Sequence, residues 1–146
     1  MPFMTEEPTE DVLETRDAPQ TVLVVDDMSD NLILISLSLQ DMGYRVVTAS
    51  NGADALSVAK LARPDLILMD IAMPHQDGLA ATRRIREESE LQDVPVVALT
   101  AFDTDGFRQA AFDAGFNGYL TKPIDFERLK KLMRMLLSGG KTSSLA

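Results

Sequence analysis

Between residues 21 and 121 the chain alternates short, almost unbroken apolar runs with segments of helical length. The runs 22–25 (VLVV), 44–48 (YRVVT), 65–69 (DLILM), 95–99 (PVVAL) and 117–120 (NGYL) read as strands. The first, third and fourth are apolar at nearly every position, as in central strands covered on both faces. The intervening segments predict helices over about 29–42, 52–62, 78–89, 104–114 and 126–137, with Gly43, Pro64, Pro95 and Gly115 punctuating their ends. Strands alternating with helices predict a parallel sheet with crossover helices. Ile35 to Gln40 alternates apolar and polar residues as a half-buried strand would. Length decides for a helix: a parallel crossover needs about a dozen residues, Ser29 or Asp30 can cap its start, and Gly43 suits its end.

That helix places Leu34, Ile35, Leu39 and Met42 on one face and leaves Leu32, Ile33 and Leu37 surplus, either as scattered surface residues or as a docking face. In the last helix Phe126, Leu129, Leu132, Met133 and Leu136 form the inner stripe. Its outer face carries Arg128, Lys130, Lys131 and Arg134, for which a solvated surface is the favoured reading over a partner site. Gly106 weakens the fourth helix by about 1 kcal/mol relative to Ala.

The chemistry emerges where each strand ends. VLVV runs into Asp26-Asp27, DLILM into Asp70, VVAL into Thr100 and GYL into Thr121-Lys122. All four ends lie at the carboxyl edge, where open parallel sheets bind ligands at the point of strand-order reversal. The second strand ends without a charged group, which suits an edge position. The pairing 2-1-3-4-5 brings Asp26, Asp27 and Asp70 together, and right-handed crossovers then place helices 1 and 5 on one face and helices 2, 3 and 4 on the other. The expected fold is a doubly wound α/β sheet of five parallel strands with five helices.

Three converging carboxylates raise one another's pKa, and a divalent cation removes the conflict. With only oxygen donors on offer the ion indicated is Mg2+, which takes one or two carboxylates together with water and phosphate oxygens. Lys122 and Thr100 can receive an added anion, most naturally a phosphoryl group. Asp70, alone in the middle of the site, is the best nucleophile for an aspartyl-phosphate.

Composition narrows the class. The 146 residues are 45% apolar, enough for about one packed domain, and hold no cysteine, so thiolate metal sites and disulfides are excluded. No stretch approaches the roughly 18 apolar residues of a membrane span, and the N-terminus has no basic, signal-like region, so a cytoplasmic protein without membrane contact is expected. The net charge is −9, with six acids against Arg16 alone in residues 1–20. That balance argues against a nucleic-acid partner. Residues 1–20 are expected to be an acidic flexible tail, 21–137 the domain and 138–146 a polar tail.

The motifs VLVVDD, LILMDIAMPHQDG, VVALTA and GYLTKP, in this order and spacing, resemble the receiver domain of two-component response regulators, a flavodoxin-like fold. The resemblance spans residues 21–137. It implies that Asp70 accepts a phosphoryl group from a histidine kinase or histidine phosphotransfer protein. It implies further that Asp27, Asp70 and the backbone carbonyl of Ala72 bind Mg2+ directly, with Asp26 acting through water. Thr100 and Lys122 would contact the phosphoryl oxygens, Thr100 moving towards them on activation. Tyr119 matches the family's switch aromatic and Lys122-Pro123 its cis peptide. The positions flanking the hydrolytic water in the family are here Ala72 and Phe102, neither able to orient a water, so slow self-dephosphorylation is expected.

His75 reads as a solvated loop residue. The short C-terminal tail points to a stand-alone receiver that signals to a downstream protein target by contact, as a monomer or a phosphorylation-dependent dimer, catalysing only its own phosphorylation and dephosphorylation. The alternatives are the receiver module of a hybrid histidine kinase, a receiver that binds without being phosphorylated, and a Mg2+-dependent phosphohydrolase. The last is disfavoured by Ala72 where such enzymes carry a second acid.

Overall fold

A computed structural model describes residues 19–71, 77–101 and 105–138. In chain order these form β1 (Thr21–Val25), α1 (Ser29–Asp41), β2 (Arg45–Ala49), α2 (Gly52–Ala62), β3 (Leu66–Asp70), α3 (Asp77–Glu87), a 3-10 turn (Ser89–Leu91), β4 (Val96–Thr100), α4 (Asp105–Ala114), β5 (Gly118–Thr121) and α5 (Phe126–Leu137). The strands make one parallel sheet in the order β2-β1-β3-β4-β5. Each of the last four strands begins one residue later than its apolar run predicts. Asp70 and Thr100 are therefore the final residues of their strands instead of the first beyond them.

Period-two alternation sorts the strand residues between two cores. Val22, Val24, Leu66, Leu68, Val97 and Leu99 pack under α1 and α5. Leu23, Val25, Ile67, Met69, Val96 and Ala98 pack under α2, α3 and α4. The central strands β1, β3 and β4 are buried almost throughout, which explains their unbroken apolar runs. The expected strand order and division of helices are both observed.

Helix α1 departs from expectation in two respects. Its buried stripe is Ile35 and Leu39, flanked by Leu32 and Met42, whereas Leu34 is 57% exposed. The stripe 32-35-39-42 follows the i, i+3, i+7 spacing, and Leu34 lies a full 100° from Ile35 around the helix. Ile33, Leu34 and Leu37 thus form the exposed apolar strip. The helix start also differs: Met28 occupies the cap position without a side-chain cap, Ser29 already lies inside the helix, and the Met28 amide donates to Asp26 Oδ1 at 2.9 Å. Neither Ser29 nor Asp30 caps the helix; the carboxylate just past β1 holds the amide of the cap residue instead.

Two glycines act as expected after helices: Gly43 and Gly115 adopt φ of +102° and +114°. At the third helix the chain stops at Glu87 and tightens into the 3-10 turn, two residues short of the predicted end. Helix α5 buries Leu129, Met133 and Leu136 as its pattern requires, and Asp125 caps it by accepting from the amides of Glu127 and Arg128.

Candidate functional site

Parallel pairing aligns the strand ends. Val25 stands opposite Met69, Asp70 opposite Leu99, and Thr100 opposite Thr121. The residues that follow β1 and β5, together with the last residues of β3 and β4, therefore reach one crevice at the carboxyl edge. Asp26, Asp27 and Asp70 each present a carboxylate oxygen there, all within 4.8 Å of one another. Lys122 Nζ lies 2.8 Å from Asp70 Oδ2 and 3.4 Å from Asp26 Oδ2. Thr100 is fully buried, and its carbonyl accepts from the Lys122 amide at 2.7 Å, which fixes the lysine's backbone against the end of β4.

The adjacent aspartates differ. Asp26 is 1% exposed and its oxygens are already engaged: Oδ1 by the Met28 amide, Oδ2 by Asn31 Nδ2 at 3.3 Å and by Lys122. Asp27 is exposed and turned to the mouth of the crevice, within the same 4.8 Å group of oxygens. Burial raises the pKa of Asp26, opposed by the Met28 hydrogen bond and reinforced by the charge of Asp70. Burial alone would lower the Lys122 pKa, but the hydrogen bond and charge of Asp70, with Asp26, outweigh it and hold the ammonium above its ordinary value. The cluster thus carries three carboxylates against one firmly protonated lysine.

Sequence reasoning missed two parts of this arrangement. Asn31, one helical turn past the doublet, steadies Asp26; only its spacing hinted at this. Gly78 lets the start of α3 lie against the end of β3. A Cβ there would meet Ile71 Cα at 2.7 Å and the Asp70 carbonyl at 2.9 Å, so the glycine of the QDG stretch is a packing requirement. Tyr119 sits half-buried on the α4 side, with the Arg108 guanidinium 4.9 Å from its ring centroid and Phe112 at 6.5 Å. The Lys122-Pro123 bond is cis, as expected. Ala72, His75 and Phe102 lie outside the described residues.

The parallel 2-1-3-4-5 sheet thus carries an acidic triad and a lysine at its switch point. The response regulator receiver domain family matches residues 22–134. The chain belongs to that family. Among curated relatives it is 35% identical to protein PilH of Pseudomonas aeruginosa, over 81% of this chain and 98% of that one. It is also 35% identical to the polar-differentiation response regulator DivK of Brucella anthropi, over 82% and 97%. Among solved structures, the receiver domain of sensor histidine kinase PA1611 from Pseudomonas aeruginosa superposes with a TM-score of 0.77 at 36% identity, covering 83% of this chain and 99% of that one; it holds a magnesium ion in its active-site cleft. This receiver is thus homologous both to single-domain regulators and to a receiver carried by a histidine kinase. No helix among the described residues is long and apolar enough to cross a membrane.

Proposed function

We propose that this receiver takes a phosphoryl group onto Asp70 from a histidine kinase or histidine phosphotransfer protein and signals by a phosphorylation-dependent contact with a protein target. The observation that carries the reading is the placement of Asp70: 5% exposed, at the switch point, with Lys122 at 2.8 Å and two further carboxylates beside it. A carboxylate oxygen of Asp70 attacks phosphorus as the phosphorus–nitrogen bond of the donor breaks, and the bonding pair leaves with the imidazole nitrogen, which takes up a proton.

The donor set suits a hard cation: oxygen ligands alone, in a cluster that keeps two uncompensated carboxylates after Lys122 cancels the third. Mg2+ there would offset charge between attacking and phosphoryl oxygens. Asp27 and Asp70, with the carbonyl of Ala72, would be its direct ligands. Asp26, already engaged on both oxygens, is suited to act through water. Lys122 neutralises the incoming group and Thr100 supplies a hydroxyl donor once it turns towards it. Tyr119 is the aromatic whose position accompanies that movement. The exposed strip Ile33, Leu34 and Leu37 is where the donor's helices would pack, so Ile33→Asp or Leu37→Asp should slow transfer from the donor. Such a receiver works in the cytoplasm.

Incubation with acetyl phosphate and Mg2+, followed by intact mass, tests the chemistry. Wild type should gain one phosphoryl group and Asp70→Ala none; an adduct formed without metal, or surviving loss of Asp70, would overturn it. The adduct should be long-lived, because Ala72 and Phe102 offer no hydrogen bond to a hydrolytic water. Ala72→Asn or Phe102→Glu should shorten its lifetime. Steady turnover of a small phosphate ester would instead favour a phosphohydrolase. The homology to the PA1611 receiver keeps a hybrid-kinase module as the second reading. Transfer from a purified phosphotransfer protein, against transfer from a kinase domain on the same chain, separates the two.

A further inference from the structure

Four cations line the outer face of α5, with the single acid Glu127 among them: Arg128, Lys130, Lys131 and Arg134, all exposed except the half-buried Lys130. Among the described residues none of their side chains forms an ion pair. A face of net charge +3 without ion pairs stands out on a chain of net charge −9. Its complement is in the same chain, since Glu6, Glu7, Glu10, Asp11, Glu14 and Asp17 precede β1 with only Arg16 among them.

Position as well as charge favours their meeting. The leader enters the fold at the amino edge of the sheet, where the Gln20 carbonyl accepts from the amide of exposed Arg45 at 2.9 Å. The next residue back, Tyr44, packs into the α1–α5 core, close enough to Arg134 for that charge to act on its phenol. Helix α5 ends at this same edge, so the leader leaves the domain beside its last turn. The helix is 12 residues, about 18 Å. An extended chain gains about 3.3 Å per residue, so six or seven residues span it.

We propose that the acidic leader, residues 1–18, docks along the basic face of α5 as an intramolecular occupant of that surface. Tethering supplies an effective concentration on the order of mM, so an interaction too weak to hold a separate peptide still keeps the face covered. The contact is electrostatic and exposed, and therefore screened over about 8 Å at physiological ionic strength. It excludes acidic partners from α5 until they displace the leader. It does not depend on the phosphoryl chemistry at Asp70.

Zero-length carbodiimide coupling of the full chain, mapped by mass spectrometry of tryptic peptides, tests it. The chain has five lysines, and Lys60 on α2, across the sheet, is the internal control. At low salt, leader carboxylates should join Lys130 or Lys131 within one chain, at least five-fold more often than Lys60, and 0.5 M NaCl should abolish the preference. Arg128→Gln with Arg134→Gln, which keeps both lysines, should reduce those links several-fold. Links spread evenly over the lysines, or unaffected by salt and by the double variant, would overturn the proposal. So would links found only between two chains, which would make a second copy the occupant.

Discussion

The two edges of the sheet each hold ionic groups drawn at least partly out of solvent, and they are built on opposite principles. At the amino edge Arg86 of α3 is saturated. Its guanidinium donates to the carbonyls of Leu91, Gln92, Val94 and Gly115 and to Asn117 Oδ1, at 2.6–3.2 Å. Asn117 Oδ1 also accepts from the Val96 amide. One side chain thus ties the end of α3 to the 3-10 turn, the start of β4 and the end of α4. At the carboxyl edge three carboxylates share one lysine. Neutral carbonyls satisfy the half-buried Arg86 without adding charge, whereas the acidic crevice is left with an excess that folding alone does not remove. The first arrangement ties elements together; the second suits the cation of the proposed function.

Substitutions at the two edges should therefore differ in sign. Arg86→Ala leaves several carbonyls without a donor and should cost roughly 2–4 kcal/mol in urea unfolding, while leaving Asp70 able to be phosphorylated in the folded fraction. An unchanged midpoint would mean that water replaces the guanidinium. At the other edge added Mg2+ should stabilise the protein, by about 1.4 kcal/mol at ten times its dissociation constant. Asp27→Asn should weaken that response more than Asp26→Asn; equal effects would break the inner and outer assignment.

Without cation, Asp26→Asn should be neutral or raise Tm by about 1–3 °C at pH 7, since the amide keeps an acceptor for Met28 and removes a buried charge. The sign follows from the raised pKa of Asp26: its protonated form stabilises the fold below pH 3.8, and that contribution is lost as pH rises through the folded value. The advantage of the asparagine should accordingly shrink in acid. A melting series from pH 3 to 7 in EDTA would show it.

Sequence made the carboxyl edge legible because its residues are polar at the ends of apolar strands, an arrangement that packing alone does not call for. Asp26, Asp27, Asp70, Thr100 and Lys122 stand out against VLVV, LILM, VVAL and GYL. The amino edge was invisible for the same reason inverted. Arg86 sits in an exposed-looking RRIRE run, and its acceptors are backbone carbonyls that carry no residue identity. Leu32 and Leu34 were exchanged because an apolar run of four, Leu32 to Ile35, leaves the phase of the helix undetermined until the sheet chooses it. Gly78 belongs to the same class, since only the close approach of two elements reveals what a side chain would strike.

The 2.8 Å bond between Lys122 and Asp70 makes the resting site a closed latch. In the proposed function a phosphoryl group on Asp70 would inherit an ammonium already in place, the lysine exchanging a carboxylate oxygen for a phosphate oxygen. Under the proposed function the first consequence of phosphorylation would therefore be a change of partner at one nitrogen atom.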